Sequence, residues 1–118
     1  MNLSGLSLRD LEYVIAIADH GSFVRAADHC RVAQPSLSAQ VRKLESRLGI
    51  FIFERTTRRV IVTAEGKPFI EQARRVLAEA RLLVTIAQRS DEPFSGSLRL
   101  AAISTLKIMK LHRVPISV

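Results

Sequence analysis

FVRAADHCRVAQPSLSAQVRKLESRL, running from Phe23 to Leu48, decides how this chain is read. It predicts two short helices joined by a tight connection. In the second helix Leu37, Val41, Leu44 and Leu48 recur at steps of four, three and four, which places them on one stripe. Pro35, Ser38, Ala39, Arg42 and Lys43 fall on the opposite side. Small, polar and basic residues build no core there, but they allow close approach to a phosphate-lined groove.

Working outward, the segment before Phe23 predicts another helix. Ser7 and Asp10 stand in capping-box spacing, and Leu8, Leu11, Val14, Ile15 and Ala18 form the expected buried stripe. His20-Gly21 closes that helix, because glycine adopts a left-handed conformation at low cost. Ser22 caps the next, whose buried side is Phe23, Ala26, Ala27 and Cys30. Gln34-Pro35 opens the third, proline being tolerated in a first turn whose N–H groups are unpaired anyway. Gly49 ends it. Ile50 to Phe53 and Val60 to Val62 then read as two strands around the basic loop Glu54 to Arg59, a β-hairpin or wing. Thr63 caps a long helix reaching to about Arg89, with Phe69, Ala73, Val76, Leu77, Ala80, Leu83, Val84 and Ala87 as its apolar positions. The small domain before it is too short to cover such a helix, so a second copy of the chain is its simplest partner. Asp91 to Ser97 reads as a linker, and Leu98 onward starts like a strand. The organisation is therefore 1–63 as a mainly α domain, 64–90 as a dimerisation helix, and 91–118 as a linker with the beginning of something further.

Composition narrows the function. The 118 residues carry a net charge of +7 and 47% hydrophobic residues, enough apolar material for one small core. A pI near 10.8 favours a polyanionic partner. One cysteine excludes an intramolecular disulfide or a cysteine-cluster metal site. The N-terminus lacks the pattern of a signal peptide and no stretch suits a membrane span, so a cytoplasmic location is expected. His20, His29 and His112 lack metal-ligand spacing, and no nucleophile–base pair or phosphate-cradling glycine loop is present. Neither an enzyme nor a bound cofactor is expected. Cys30 reads as a small core residue; a thiol sensor at that position is the competing view.

Major-groove recognition needs exposed side chains near a helix N-terminus to meet base edges while cations hold phosphates. Gln34 can pair with adenine and Ser38 with several bases, while Pro35 and Ala39 suit a thymine methyl. Arg42 and Lys43 can hold phosphate, and Arg55, Arg58 and Arg59 would add contacts from the hairpin. From Arg31 to Arg59 there are seven basic and two acidic residues, a local net of +5. Taken alone, each of these is also what a solvated helix face or a solubilising loop looks like. The ordered combination of three-helix core, basic hairpin and long apolar helix favours the DNA reading.

The same residues resemble the N-terminal region of the LysR-type transcriptional regulators. The likeness is carried by Phe23, Ala26-Ala27, Gln34-Pro35-Ser36-Leu37-Ser38, Leu44-Glu45, Leu48-Gly49, Phe53-Glu54-Arg55, Arg58 and Thr63-Ala64-Glu65-Gly66. Within that family, DLEYVIAIADHGSF, QVRKLE and ERTTR look most similar to the hydrogen-peroxide-responsive activators. The resemblance implies a winged helix-turn-helix followed by a dimerising linker helix. Its expected partners are promoter DNA and a second copy of the chain, with no membrane. The expected DNA contacts are Gln34, Pro35, Ser36, Ser38, Arg42, Lys43, Arg55, Arg58 and Arg59. Ala39 departs from the larger polar or basic residue many relatives place there, which bears on sequence preference. After Thr105 the chain departs from the family's continuation into an effector domain, so a truncated regulator without a small-molecule effector site is expected. A naturally short DNA-binding protein, an inactive fragment, or a protein-interaction module acting through the long helix are the alternatives.

Overall fold

The computed structural model of the protein describes residues 2–56 and 59–90. Two units divide the chain, Met1–Ala78 and Glu79–Val118. After a short 3-10 turn at Leu3–Gly5 come α1 (Leu8–His20), α2 (Phe23–Cys30), α3 (Gln34–Leu48), β1 (Phe53–Arg55), β2 (Val60–Val62) and α4 (Gly66–Ser90). The linker and strand expected beyond residue 90 lie outside the described residues.

The three short helices start where their caps require. Ser7 Oγ accepts the Asp10 N–H at 3.1 Å while Asp10 Oδ2 accepts the Ser7 N–H at 3.3 Å, a complete capping box. Asp10 is buried, and its Oδ1 accepts from Gln40 Nε2 at 3.3 Å, which ties α1 to α3. Ser22 Oγ caps α2 through the Arg25 N–H at 3.1 Å. The first turn of α3 contains Pro35, and its N-cap residue Ala33 makes no side-chain bond. Gly49 ends α3 at φ 74°, a left-handed value that disfavours any residue with a Cβ.

Leu37, Val41 and Leu44 are buried as the stripe predicts, packed with Val14, Ile17, Ala26, Ala27 and Ile52 in one cluster. Each large aliphatic side chain withdrawn in this way contributes about 1.5–3 kcal/mol. The expected stripe on α1 needs correction. Leu8 is exposed and Ile15 and Ala18 are half-buried, whereas Tyr13, Ala16 and Ile17 are buried beside Leu11 and Val14. The reason is that α1 is covered on two sides. Val14 and Ile17 face α2 and α3, while Leu11 packs with Ala73 and Leu77 of α4 in a second cluster.

The first strand also differs from expectation. It covers Phe53–Arg55 rather than Ile50 to Phe53, and Glu54 and Arg55 belong to the strand, not to a loop. It pairs antiparallel with β2, Phe53 opposite Val62 and Arg55 opposite Val60. Ile52 stays outside the strand because its N–H goes to the Glu45 carboxylate at 2.8 Å and not across the hairpin, although its carbonyl still accepts the Thr63 N–H at 3.0 Å.

Thr63 does cap α4, accepting the Gly66 N–H on Oγ1 at 2.9 Å, but the helix begins at Gly66 rather than at residue 64. A Cβ on Gly66 would sit 2.3 Å from the Ile52 carbonyl oxygen, so glycine is required for this close approach. In the Met1–Ala78 unit Ile70, Ala73 and Leu77 are buried, Phe69 is half-buried and Val76 is exposed. Arg74 pairs with Asp19 of α1 at 2.5 Å on the surface. In the other unit Leu82, Leu83, Val84 and Ile86 are exposed.

Candidate nucleic-acid interface

Burial of Leu37, Val41 and Leu44 fixes which side of α3 points outward. Gln34, Pro35, Ser36, Ala39, Arg42 and Lys43 are exposed, and Ser38 is half-buried. From Gln34 to Lys43 the ridge rises about 13 Å at 1.5 Å per residue, close to four base-pair steps of about 3.4 Å. Gln34 Nε2 donates to Ser38 Oγ at 3.1 Å, one helical turn on. That bond holds the glutamine against the helix, with its carbonyl oxygen free of a partner within the bond. Ala39 leaves the middle of the ridge low, between the polar first turn and the two cations.

The hairpin arginines do not share one environment. Arg55 has a side chain 29% exposed, its Nη2 lies 3.3 Å from Glu45 Oε1, and its guanidinium sits 4.9 Å over the Phe23 ring. Arg59 is exposed, and its backbone closes the hairpin on Thr56: its N–H reaches Thr56 Oγ1 at 3.1 Å and its carbonyl accepts the Thr56 N–H at 3.1 Å. Arg58 lies outside the described residues. Among the described residues the expected contact set thus resolves into an α3 ridge, an exposed Arg59 in the hairpin, and Arg55 held in an ion pair.

Two residues near this surface escaped the sequence reading. Glu45 is 4% exposed and accepts the N–H groups of Ile52 and Phe53 as well as Arg55. Its place was readable, since 37, 41 and 45 are each one turn apart on the buried side. Arg31 is the other. It ends α2 at φ 59°, a left-handed value for a residue with a side chain, and lies exposed in the turn leading to α3. A basic residue just past a helix end was the available signal.

Cys30 is half-buried against the core, and burial pushes its thiol above the usual range. The His20 and His29 rings lie 5.1 Å apart, tilted, and His112 lies outside the described residues. Among the described residues no three His, Cys, Asp or Glu side chains are grouped to hold a metal, and no helix is long and apolar enough to cross a membrane.

Comparison with known proteins agrees with this geometry. Residues 8–67 match the family described as bacterial regulatory helix-turn-helix protein, lysR family. The chain is 48% identical over 101 residues to the hydrogen peroxide-inducible genes activator of Pectobacterium carotovorum subsp. carotovorum, covering 86% of this chain and 33% of that protein. It therefore spans about a third of the length of the curated relatives it matches. Full-length OxyR C199D from Pseudomonas aeruginosa superposes with a TM-score of 0.71 at 39% identity, over 74% of this chain and 30% of that one. The crystal structure of BenM_DBD with benA site 1 DNA gives a TM-score of 0.70 at 37% identity, over 75% of this chain and all of that one.

Proposed function

Because the chain belongs to the bacterial regulatory helix-turn-helix proteins of the lysR family, we propose that it is a sequence-specific DNA-binding transcriptional regulator rather than an enzyme. Helix α3 lies in the major groove. Gln34, Pro35, Ser36 and Ser38 meet base edges, and Arg42 and Lys43 neutralise phosphates further along. Arg59 grips the backbone from the hairpin, and Arg58 is proposed beside it from the sequence alone. Such a protein works where the chromosome is, in the bacterial cytoplasm. The observation that carries the reading is the ridge on α3, polar at its first turn and cationic beyond, held outward by three buried aliphatic residues.

Selection of duplexes from a random pool tests it. Gln34→Ala should then cost on the order of 1–3 kcal/mol and relax the preference at one base position. Affinity should also fall steeply with added salt, since phosphate contacts release counterions. Equal binding by wild type and Gln34→Ala across the selected pool would remove the assignment of α3 as the reader.

The same reading uses two copies of the chain, joined through the 64–90 helix. Exposed Leu82, Leu83, Val84 and Ile86 support it, because a second helix of the same kind would withdraw them from water. Leu83→Glu should raise the dimer dissociation constant by about tenfold or more, as each lost large apolar burial is worth about 1.5–3 kcal/mol. Sedimentation across a concentration series measures it, and an unchanged constant would place the dimer contact elsewhere.

A further inference from the structure

Glu45 lies in the last turn of α3, seven residues on from Ser38, and is buried. Its Oε2 accepts the Ile52 N–H at 2.8 Å and the Phe53 N–H at 3.2 Å, and its Oε1 takes Arg55 Nη2 at 3.3 Å. Its backbone carbonyl accepts the Gly49 and Ile50 N–H groups at 2.8 and 3.3 Å. One residue of the recognition helix therefore holds the entry to β1 by its backbone and β1 itself through Arg55. Arg55 is in turn seated on Phe23, the first residue of α2, whose ring meets Phe53 edge-on at 6.1 Å.

A buried carboxylate is a weak source of stability, because its desolvation offsets most of what its partners return. An apolar side chain of similar volume would hold the helix to the core as well. What an apolar side chain lacks is direction. Three donors converging on two oxygens set the angle at which the hairpin leaves α3.

We infer that Glu45 is a positioning residue for DNA binding: with Arg55 it sets the hairpin against α3 so that Arg59 meets the backbone in register with the ridge. Arg55 on this view acts through Glu45 and does not itself hold a phosphate. The inference rests on the DNA-binding reading above, and it separates two arginines that charge alone treats alike.

The test uses the full chain and a duplex selected from a random pool by the wild-type protein. Glu45→Gln removes a negative charge close to DNA, so simple electrostatics predicts tighter binding. Positioning predicts the reverse: binding weaker by about tenfold, the scale of one lost specific contact. Hydroxyl-radical protection should disappear on the flank covered by the hairpin while the α3 segment stays protected. Arg55→Lys supplies the second arm, since it keeps the charge a phosphate contact needs but lacks the planar guanidinium that reaches Glu45 through one nitrogen while lying over the Phe23 ring. It should bind as weakly as Arg55→Met and show the same lost flank. Tighter or unchanged binding by Glu45→Gln overturns the inference, as does loss of both protected segments together or wild-type binding by Arg55→Lys. In each of those cases the selected duplex is still bound by the wild type and the DNA reading stands. If no duplex is selected at all, both fall.

Discussion

Helix α3 and the hairpin that follows it are held in place by different means. The helix is fixed by burial: Leu37, Val41 and Leu44 are nearly inaccessible, and rotating α3 would bring them into water. The hairpin consists of two three-residue strands that bury one residue, Phe53, in the same core, and directed bonds from Glu45, Thr63 and Arg55 add to that anchor. Burial is non-directional and tolerates small shifts. Hydrogen bonds to a backbone do not. A surface proposed to fit a groove and a phosphate row at once would use the first means for support and the second for angle.

The largest expected break in this contrast is Leu44→Ala. It should destabilise the fold by about 2–5 kcal/mol, measured by denaturant unfolding, and carry helix and hairpin down together. Gly66→Ala attacks the hairpin side instead. Its new methyl group would meet the Ile52 carbonyl. The resulting overpacking should cost about 1–3 kcal/mol, despite the better helix propensity of alanine. A stability at or above wild type would show that the contact yields easily.

The smallest expected effect sharpens the comparison from outside it. The Arg74 guanidinium, hydrogen-bonded to Asp19, holds the Asp19 carboxyl below the usual carboxylate range. Its contribution is present above the ordinary aspartate value of about 3.9 and is lost as pH falls through the lowered value. Both side chains are about half exposed, so solvent screening keeps the pair at or below about 1 kcal/mol. Asp19→Asn should lose that much at neutral pH, and its unfolding curve should converge with wild type in acid. A gap that persists in acid would mean Asp19 acts through something other than its charge.

Local signals made most of the helical frame legible. Ser7 with Asp10, Ser22, Pro35 and Gly49 each act within a few residues of where they stand, and the structure uses them all as read. Exposure of the α3 ridge followed from periodicity in the same way. What failed to show was non-local. Ile50 to Phe53 has the look of a strand, yet the N–H of Ile52 is claimed by a carboxylate seven residues back and the strand begins only at Phe53. Leu8 matched a stripe on α1, but that helix is packed on two sides and its buried arc is turned toward Tyr13 and Ile17. Arg55 and Arg59 are equivalent by composition and neighbourhood. Only the placement of Glu45 and Phe23 tells them apart.

Ile52 shows what this arrangement means for any motion imposed on the protein. Its N–H belongs to α3 through Glu45, its carbonyl belongs to Thr63, and the same carbonyl is the floor on which Gly66 rests. A torque applied to the first turn of α4 finds no soft hinge at this joint. It moves reader, hairpin and helix start as one solid piece, or it breaks bonds that cannot all be remade at another angle. A motion that enters through this joint would shift the unit whole and leave the shape of its α3 surface unchanged.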